Sequence, residues 1–265
     1  VLPYHFAIKQ RGFEPELLGE FGVHSKNDTV ICQVYRYNKG ELPVYLLDGE
    51  PIDEMSPVYS SDPIHDGYKF VFFSLAALGL ADFLDWRVDI LHGNDWHTAS
   101  AIYALKKLNL NSPNLSTTRA LHTLHNLPYM GFGVQQALVD YGLPPSPNRN
   151  LPEWARHTPL PLGLLHADRI IAVSPNYAQE ILTPEFGCGL ENFLKTRKGK
   201  LQGILNGLDT DRWDPASDSK IKQTFSTDRL ALRSINKLTL QDQYGLIQDE
   251  SMPLLTLISR MDPQK

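Results

Sequence analysis

VDILHGNDWHTASAIYALKKL, residues 88–108, is the stretch that decides the fold. It begins with a short apolar run that predicts a buried strand, and it ends with apolar residues that recur at helical spacing. Between the two halves lie a carboxylate, an indole and two imidazoles. A strand that leads directly into a helix is half of a βαβ unit. Because ligands bind beyond the carboxyl ends of strands in open α/β sheets, we expect these polar side chains to face a ligand.

Further strands and helices alternate on both sides of this stretch. Residues 16–24 and 29–37 alternate apolar and polar side chains, which predicts an antiparallel hairpin. A long helix is predicted to begin within the apolar run at 68–74 and to reach Phe83, and another to begin at Pro175. Further buried strands are predicted at 44–48, 119–126, 167–174 and 200–207. This spacing predicts an α/β fold with a Rossmann-like, doubly wound parallel sheet.

The chain also divides along its length. Residues 128–163 are rich in proline and lack periodicity, which predicts a long loop with short helices, a kind of segment that is usually functional. We assign residues 1–205 to an N-terminal Rossmann-like domain and 206–265 to a linker and the start of a second domain. In the second part we expect a polar helix over roughly 228–244 and a strand at 253–259. Both ends are expected to be cut from a longer protein.

Composition narrows the class of protein. The 265 residues are 42% hydrophobic and 21% charged, which is an ordinary globular balance. The formal net charge is −5 and no run of Lys or Arg forms a basic stripe, so a nucleic-acid partner is disfavoured. No apolar run approaches the roughly 20 residues that span a bilayer, so no membrane is expected. The cysteines, Cys32 and Cys188, indicate packing in a reducing compartment.

The polar residues at the two strand ends allow several interpretations. They are His92, Asn94, Asp95 and His97 after one strand, and His122, His125 and Asn126 at the end of the next. Asn94 or Asp95 could instead cap the following helix, with Trp96 in the core. His92 and His122 alternate with apolar neighbours, which favours buried, hydrogen-bonded roles. A metal-dependent hydrolase is disfavoured, because the histidine spacings do not match those of known zinc helices.

Two further features lie toward the end of the chain. Five glycines between residues 183 and 209 predict loops that need glycine conformations. Arg260 and Lys265 follow the last predicted strand and could form a paired cation for a diphosphate. The alternative is that both are solvated surface charges.

Five motifs, in order and at fitting separations, resemble the bacterial glycogen synthase and plant starch synthase family. They are DILHGNDWHTA, TLHNLPYMG, ADRIIAVSPNYAQEILTPEFGCGLENFL, GILNGLDTDRWDPASD and LISRMDPQK. The resemblance implies a GT-B fold, in which two Rossmann-like domains face each other across a cleft. It implies a retaining enzyme that transfers glucose from ADP-glucose to the non-reducing end of an α-1,4-glucan (glycogen, starch or maltooligosaccharides), without a metal or other cofactor. The compartment would be bacterial cytoplasm or plastid stroma.

The resemblance also implies roles for particular residues. Asp95 would hydrogen-bond hydroxyls at the reaction centre, and the main-chain carbonyl of His125 would lie beside the transferred glucose. The substrate-binding residues would be Asn126 and Tyr129 on the acceptor or sugar side, Arg260 and Lys265 on the ADP phosphates, and Asn206 at the hinge. Trp96, Tyr129 and Trp154 could offer aromatic faces to glucose rings.

Three features depart from the family pattern. Its Lys-x-Gly-Gly-Leu motif would precede Val1, and its C-terminal glutamate would follow Lys265. Residues 159–165 read PLPLGLL, where many members have a lysine followed by small residues. We therefore expect the chain alone to be inactive. The alternative to a glycosyltransferase is a non-catalytic α-glucan-binding protein that retains only the acceptor surface.

Overall fold

The computed structural model describes residues 1–12, 14–52, 57–108, 111–259 and 261. The chain forms two compact units, Val1–Leu205 and Asn206–Lys265. The first unit contains all eight strands found among the described residues. They are β1 (Leu2–Pro3), β2 (Glu16–His24), β3 (Thr29–Lys39), β4 (Leu42–Asp48), β5 (Ile90–Asn94), β6 (Arg119–Leu124), β7 (Arg169–Ala172) and β8 (Leu201–Gly203).

The helices of the first unit lie between and after these strands. They are α1 (Phe6–Lys9), α2 (Pro63–Phe83), α3 (Asp95–Lys107), α4 (Gln135–Asp140), α5 (Pro159–His166), α6 (Pro175–Glu180) and α7 (Glu191–Thr196). Short 3₁₀ helices at Glu153–His157 and Lys198–Lys200 complete the set. The stretch 128–163 thus contains the short helices that its proline content predicts.

The strands form two four-stranded sheets. In the first sheet the order is β1-β4-β3-β2, with β2, β3 and β4 antiparallel and β1 parallel to β4. In the second the order is β5-β6-β7-β8, and all neighbours are parallel. The hairpin of β2 and β3 and the parallel sheet confirm the predictions, and the fold is α/β and Rossmann-like. The opening residues VLPYH resemble the end of a strand, and the short strand β1 confirms this prediction.

Helix α3 packs against β5 and β6 of the parallel sheet, and helix α2 packs against α3 and the first sheet. Helix α2 begins where the Asp62 side chain accepts a 2.8 Å hydrogen bond from the N–H of Ile64, and Pro63 occupies its first turn. Helix α3 joins β5 to β6 and buries the small side chains Ala99, Ser100 and Ala101. A Cβ atom on Gly163 of α5 would lie 2.8 Å from the Cβ of Ala99, so these helices touch closely. No helix among the described residues is long and apolar enough to cross a membrane.

The second unit contains a 3₁₀ helix at Thr227–Leu232 followed by α8 (Arg233–Gln243). The helix predicted at 228–244 is therefore confirmed over α8, while its first part is wound more tightly. The strand predicted at 253–259 is wrong, because those residues form no strand and Leu255, Leu257 and Ile258 are exposed. A strand needs a neighbour to pair its backbone groups, and the described part of this unit provides none.

Candidate active site

Asp95 lies at the junction between β5 and α3. It is the first residue of α3, and its φ of 51° is in the left-handed region that aspartate tolerates better than most residues. Its Oδ1 atom accepts hydrogen bonds from the backbone N–H groups of His125 (2.8 Å) and Asn126 (3.3 Å). The carboxylate therefore links the end of β5 to the segment that follows β6.

The parallel register explains why these residues meet. Asn94 is paired with Thr123, so the last residues of β5 and β6 end at the same edge of the sheet. His125 then lies one residue beyond β6, level with the start of α3. The structure thus brings together Asp95, His125 and Asn126, which are far apart in sequence.

Asn94 also reaches across to His125. Its Oδ1 atom lies 3.0 Å from Nε2 of the imidazole, and because an amide oxygen only accepts, Nε2 is the donor. Asn94 occupies the N-cap position of α3 without a side-chain cap bond, so the capping interpretation is wrong for Asn94. The Thr98 side chain forms the hydrogen bonds at this helix terminus instead. Its hydroxyl accepts a 2.5 Å hydrogen bond from the N–H of Asn94 and donates a 2.9 Å hydrogen bond to the carbonyl of Asn94.

A second side chain anchors the segment after β6. The hydroxyl of Tyr177, on α6, accepts a 2.8 Å hydrogen bond from the N–H of Leu127. The N–H of Tyr129 donates to the carbonyl of Asn126 at 3.3 Å and closes a turn. Burial raises the pKa of Tyr177, which keeps its hydroxyl neutral. Sequence reasoning missed Tyr177, although its position just after β7 places it at the same edge as Asp95.

Exposed aromatic rings lie close to this turn in the sequence. Tyr129 is 47% exposed and Phe132 is 54% exposed. Phe132 lies between Gly131 and Gly133, whose φ angles of 81° and 87° are in the left-handed region that favours glycine. The centroid of the Phe132 ring lies 5.6 Å from that of Trp154. Phe132 is a second residue that sequence reasoning missed, and its flanking glycines were the available signal.

Trp96 belongs to the packed interior. Its ring meets that of Phe70 edge to face, with centroids 5.1 Å apart, and it packs against the hydrophobic core. A Cβ on Gly131 would lie 2.7 Å from the indole, so the main chain covers this ring closely. The core interpretation of Trp96 is therefore the one that the structure favours.

The remaining histidines have different environments. His122 is fully buried, as predicted, but neither ring nitrogen has a hydrogen-bond partner among the described residues, so the hydrogen-bonded role predicted for it is wrong. Burial, with His92 and His125 nearby, lowers its pKa to about 3. His92 is exposed, contrary to expectation, and β5 is an edge strand among the described residues. The predicted hydrogen bond of His92 is present, because its Nε2 lies 2.7 Å from the hydroxyl of Thr123. Burial lowers the pKa of His97 to about 4. Among the described residues, no three His, Cys, Asp or Glu side chains are grouped to hold a metal.

The structure does not test three of the expected binding residues. Asn206 is exposed and begins the second compact unit. Arg260 and Lys265 lie outside the described residues. Their roles in donor binding therefore stay predictions.

The Rossmann-like sheet, with polar residues gathered at the carboxyl ends of β5 and β6, defines a domain of the GT-B glycosyltransferase class. The family model of the starch synthase catalytic domain matches residues 1–196. The chain belongs to this family, which includes bacterial glycogen synthases.

Individual relatives agree with this assignment. Glycogen synthase from Geotalea daltonii is 37% identical over 233 residues, which are 86% of this chain and 48% of that protein. Glycogen synthase from Streptococcus agalactiae serotype Ia is 33% identical over 274 residues, which are 100% of this chain and 56% of that protein. The chain spans about half the length of the curated relatives it matches.

A solved structure has the same fold. The catalytic domain of Starch Synthase IV from Arabidopsis thaliana, bound to ADP and acarbose, superposes with a TM-score of 0.72 at 29% identity. The match covers 90% of this chain and 50% of that one.

Proposed function

We propose that the full-length protein transfers glucose from ADP-glucose to the non-reducing end of an α-1,4-glucan, with retention of configuration. In this proposal residues 1–205 provide the acceptor side, and 206–265 are the hinge and the start of the donor domain. The observation that carries it is the bonding of Asp95 to the His125–Asn126 backbone at the ligand-binding edge of the sheet, in a chain of this family. A relative solved with ADP and acarbose supports the substrate classes.

The carboxylate of Asp95 can perform two tasks in this scheme. One oxygen holds the backbone of His125 and Asn126 in place. The other oxygen can accept hydrogen bonds from sugar hydroxyls at the reaction centre. Because the glucosyl carbon gains positive charge in the transition state, a fixed carboxylate and a fixed carbonyl nearby would stabilise it.

His125 would act through its main chain, and its ring would keep that main chain oriented. The imidazole is tied to Asn94 at 3.0 Å, and the N–H is tied to Asp95 at 2.8 Å, so the residue is held from two sides. Rigid positioning of this kind lowers the entropic cost of reaching the transition state. Asn126 and Tyr129 would then contact the acceptor or the transferred sugar, and Tyr129 has an exposed ring for that contact.

The departing ADP carries negative charge that must be neutralised. In the proposal Arg260 and Lys265 bind its phosphates, and Asn206 lies at the hinge beside them. Closure of the two domains would exclude water, which would otherwise hydrolyse the donor. We also propose a reducing compartment, either bacterial cytoplasm or plastid stroma, since Cys32 and Cys188 are both free thiols.

The test is incorporation of labelled glucose by the full-length protein. With ADP-glucose and glycogen, labelled glucose should enter the polymer, and a β-amylase, which requires α-1,4 linkages at the non-reducing end, should release the label as maltose. UDP-glucose in a parallel reaction measures donor preference. No incorporation from either donor would contradict the proposal. Binding of maltooligosaccharides without binding of ADP-glucose would instead identify a non-catalytic glucan-binding protein.

The 265-residue chain by itself should not catalyse transfer, because the proposed donor domain is represented only by its first residues. Measurable turnover by the pure chain would contradict this part of the proposal. The full-length protein assayed in parallel is the control.

A further inference from the structure

A cluster of basic residues lies at the end of the parallel sheet opposite to Asp95. Arg119 and Arg169 begin β6 and β7, and Lys200 directly precedes β8. Lys106 and Lys107 end α3, His166 ends α5, and Arg197 follows α7. Six Lys and Arg residues thus gather in one region of a chain whose net charge is −5.

The carboxylate of Asp168 neutralises only part of this charge. Its Oδ2 atom lies 3.3 Å from Nζ of Lys106 and accepts a 2.8 Å hydrogen bond from the N–H of Ala120, while Oδ1 lies 3.6 Å from Arg119. These contacts use both oxygens of the carboxylate. Among the described residues neither Lys107 nor Arg197 forms an ion pair, and the charge of Asp168 only partly offsets the lowering of the Arg197 pKa by burial.

A cavity of about 410 Å³ opens at this cluster. Its lining includes Lys107, Ser146, Asn148, His166 and Arg197. Cavities of this size accommodate small metabolites. The cavity is a depression open to solvent, and its lining carries cationic and polar side chains.

Hydrogen-bond donors face the cavity besides the charges. Ser146 Oγ accepts from the N–H of Asn148 at 3.3 Å, so its own hydroxyl proton can be donated. Asn148 Oδ1 accepts from the N–H of Asn150 at 2.9 Å, which fixes the amide and leaves its NH₂ group to donate. Arg197 is fixed by a 2.9 Å hydrogen bond from Nη2 to the carbonyl of Ala167.

The pKa of His166 depends on the charges around the cavity. Its ring packs on that of Tyr103 with centroids 5.1 Å apart. Burial lowers the pKa of His166, and the nearby cations Lys107, Arg197 and Lys106 lower it further. An anion bound beside these cations would offset their effect, so the pKa of His166 should rise when the cavity is filled.

We propose that this cavity binds the phosphate group of a small phosphorylated metabolite, at a site separate from the proposed glucosyl-transfer site. A lysine, an arginine, a hydroxyl and an amide in one lining match the charge and the several acceptor oxygens of a phosphate. A volume of about 410 Å³ can hold a free phosphate or a sugar phosphate. This inference does not depend on the proposed activity.

The experiment measures binding to the 265-residue chain by calorimetry and by NMR of the histidine rings. The probes are inorganic phosphate and glucose 1-phosphate, each compared with chloride at equal ionic strength. Saturable binding should accompany a rise in the pKa of His166. Tighter binding of glucose 1-phosphate would identify an ester as the ligand, and equal binding would identify phosphate alone as sufficient.

Two matched lysine variants test whether binding occurs at this cavity. Lys107→Gln removes an exposed charge that lines the cavity and should weaken binding about tenfold, the usual effect of losing one charge-assisted contact. Lys195→Gln removes the same charge from an exposed position on α7 that does not line the cavity, and should change affinity less than twofold. No saturable binding, an unchanged pKa of His166, or equal losses in the two variants would overturn the proposal.

Discussion

Replacing Asp95 tests how the ligand-binding edge is held together. Asp95→Ala removes the acceptor of two backbone hydrogen bonds, of 2.8 and 3.3 Å, from His125 and Asn126. A hydrogen bond to a charged group contributes about 1.5–3 kcal/mol. Alanine also tolerates the φ of 51° less well than aspartate, at a cost of about 1 kcal/mol. Taking the lower figure for each bond, because Asp95 is only partly buried, and adding the backbone cost, we expect Asp95→Ala to lower the free energy of unfolding by about 4 kcal/mol.

Asp95→Asn provides the matched control. Asparagine keeps an acceptor oxygen and tolerates the left-handed conformation, so it should lose only the charge assistance, about 1–2 kcal/mol. The assay is urea unfolding of the three proteins, together with the amide NMR signals of His125 and Asn126. Those two amide signals should shift strongly in Asp95→Ala and less in Asp95→Asn. If Asp95→Ala unfolds within about 0.5 kcal/mol of the parent chain, the carboxylate does not hold this edge together.

Three further predictions concern the interior. Lys69 is fully buried, and its Nζ lies 2.6 Å from Oδ1 of Asp66. Because Lys69→Met would leave the Asp66 carboxylate without its ion-pair partner, it should lower the free energy of unfolding in urea by about 3 kcal/mol or more. A loss below about 1 kcal/mol would contradict a buried ion pair. Gly163→Ala adds a Cβ 2.8 Å from a side-chain carbon of α3 and should cost about 1–3 kcal/mol, whereas Gly199→Ala, with no atom within 4 Å, should be nearly neutral. Equal effects of the two glycine variants on thermal unfolding would refute the packing argument. Burial lowers the pKa of His122 from 6.5 in the unfolded chain to about 3 in the folded protein. Protonation therefore favours the unfolded chain, so the free energy of unfolding should be highest above pH 6.5 and should fall as the pH drops from about 6.5 toward 3. His122→Asn should lose less stability over that interval, and an unchanged slope in unfolding experiments across this range would contradict the burial of this ring.

Local patterns predicted the elements that carry the candidate site. Alternation identified the hairpin of β2 and β3, and the change from a short apolar run to helical spacing identified β5 and α3. Parallel pairing of β5 with β6 then followed from the short crossover, and it brought Asp95 next to His125 as expected.

Other features depend on tertiary contacts that local patterns do not contain. Asn94 could either cap α3 or hydrogen-bond to the ring of His125. The position of that ring decides between the two, and the sequence leaves it open. Exposure of His92 depended on β5 being an edge strand. The apolar residues at 253–259 predicted a strand, but strand formation also requires a partner, and none is present in the described part of that unit.

The central claim is tested most directly by transfer of labelled glucose from ADP-glucose to glycogen, catalysed by the full-length protein and by its Asp95→Asn variant. The account predicts α-1,4 extension by the parent protein and a reduction of at least about a hundredfold in the variant, since a charge near the reacting carbon is removed. Extension at the parent rate by Asp95→Asn, or no extension by either protein, would contradict it.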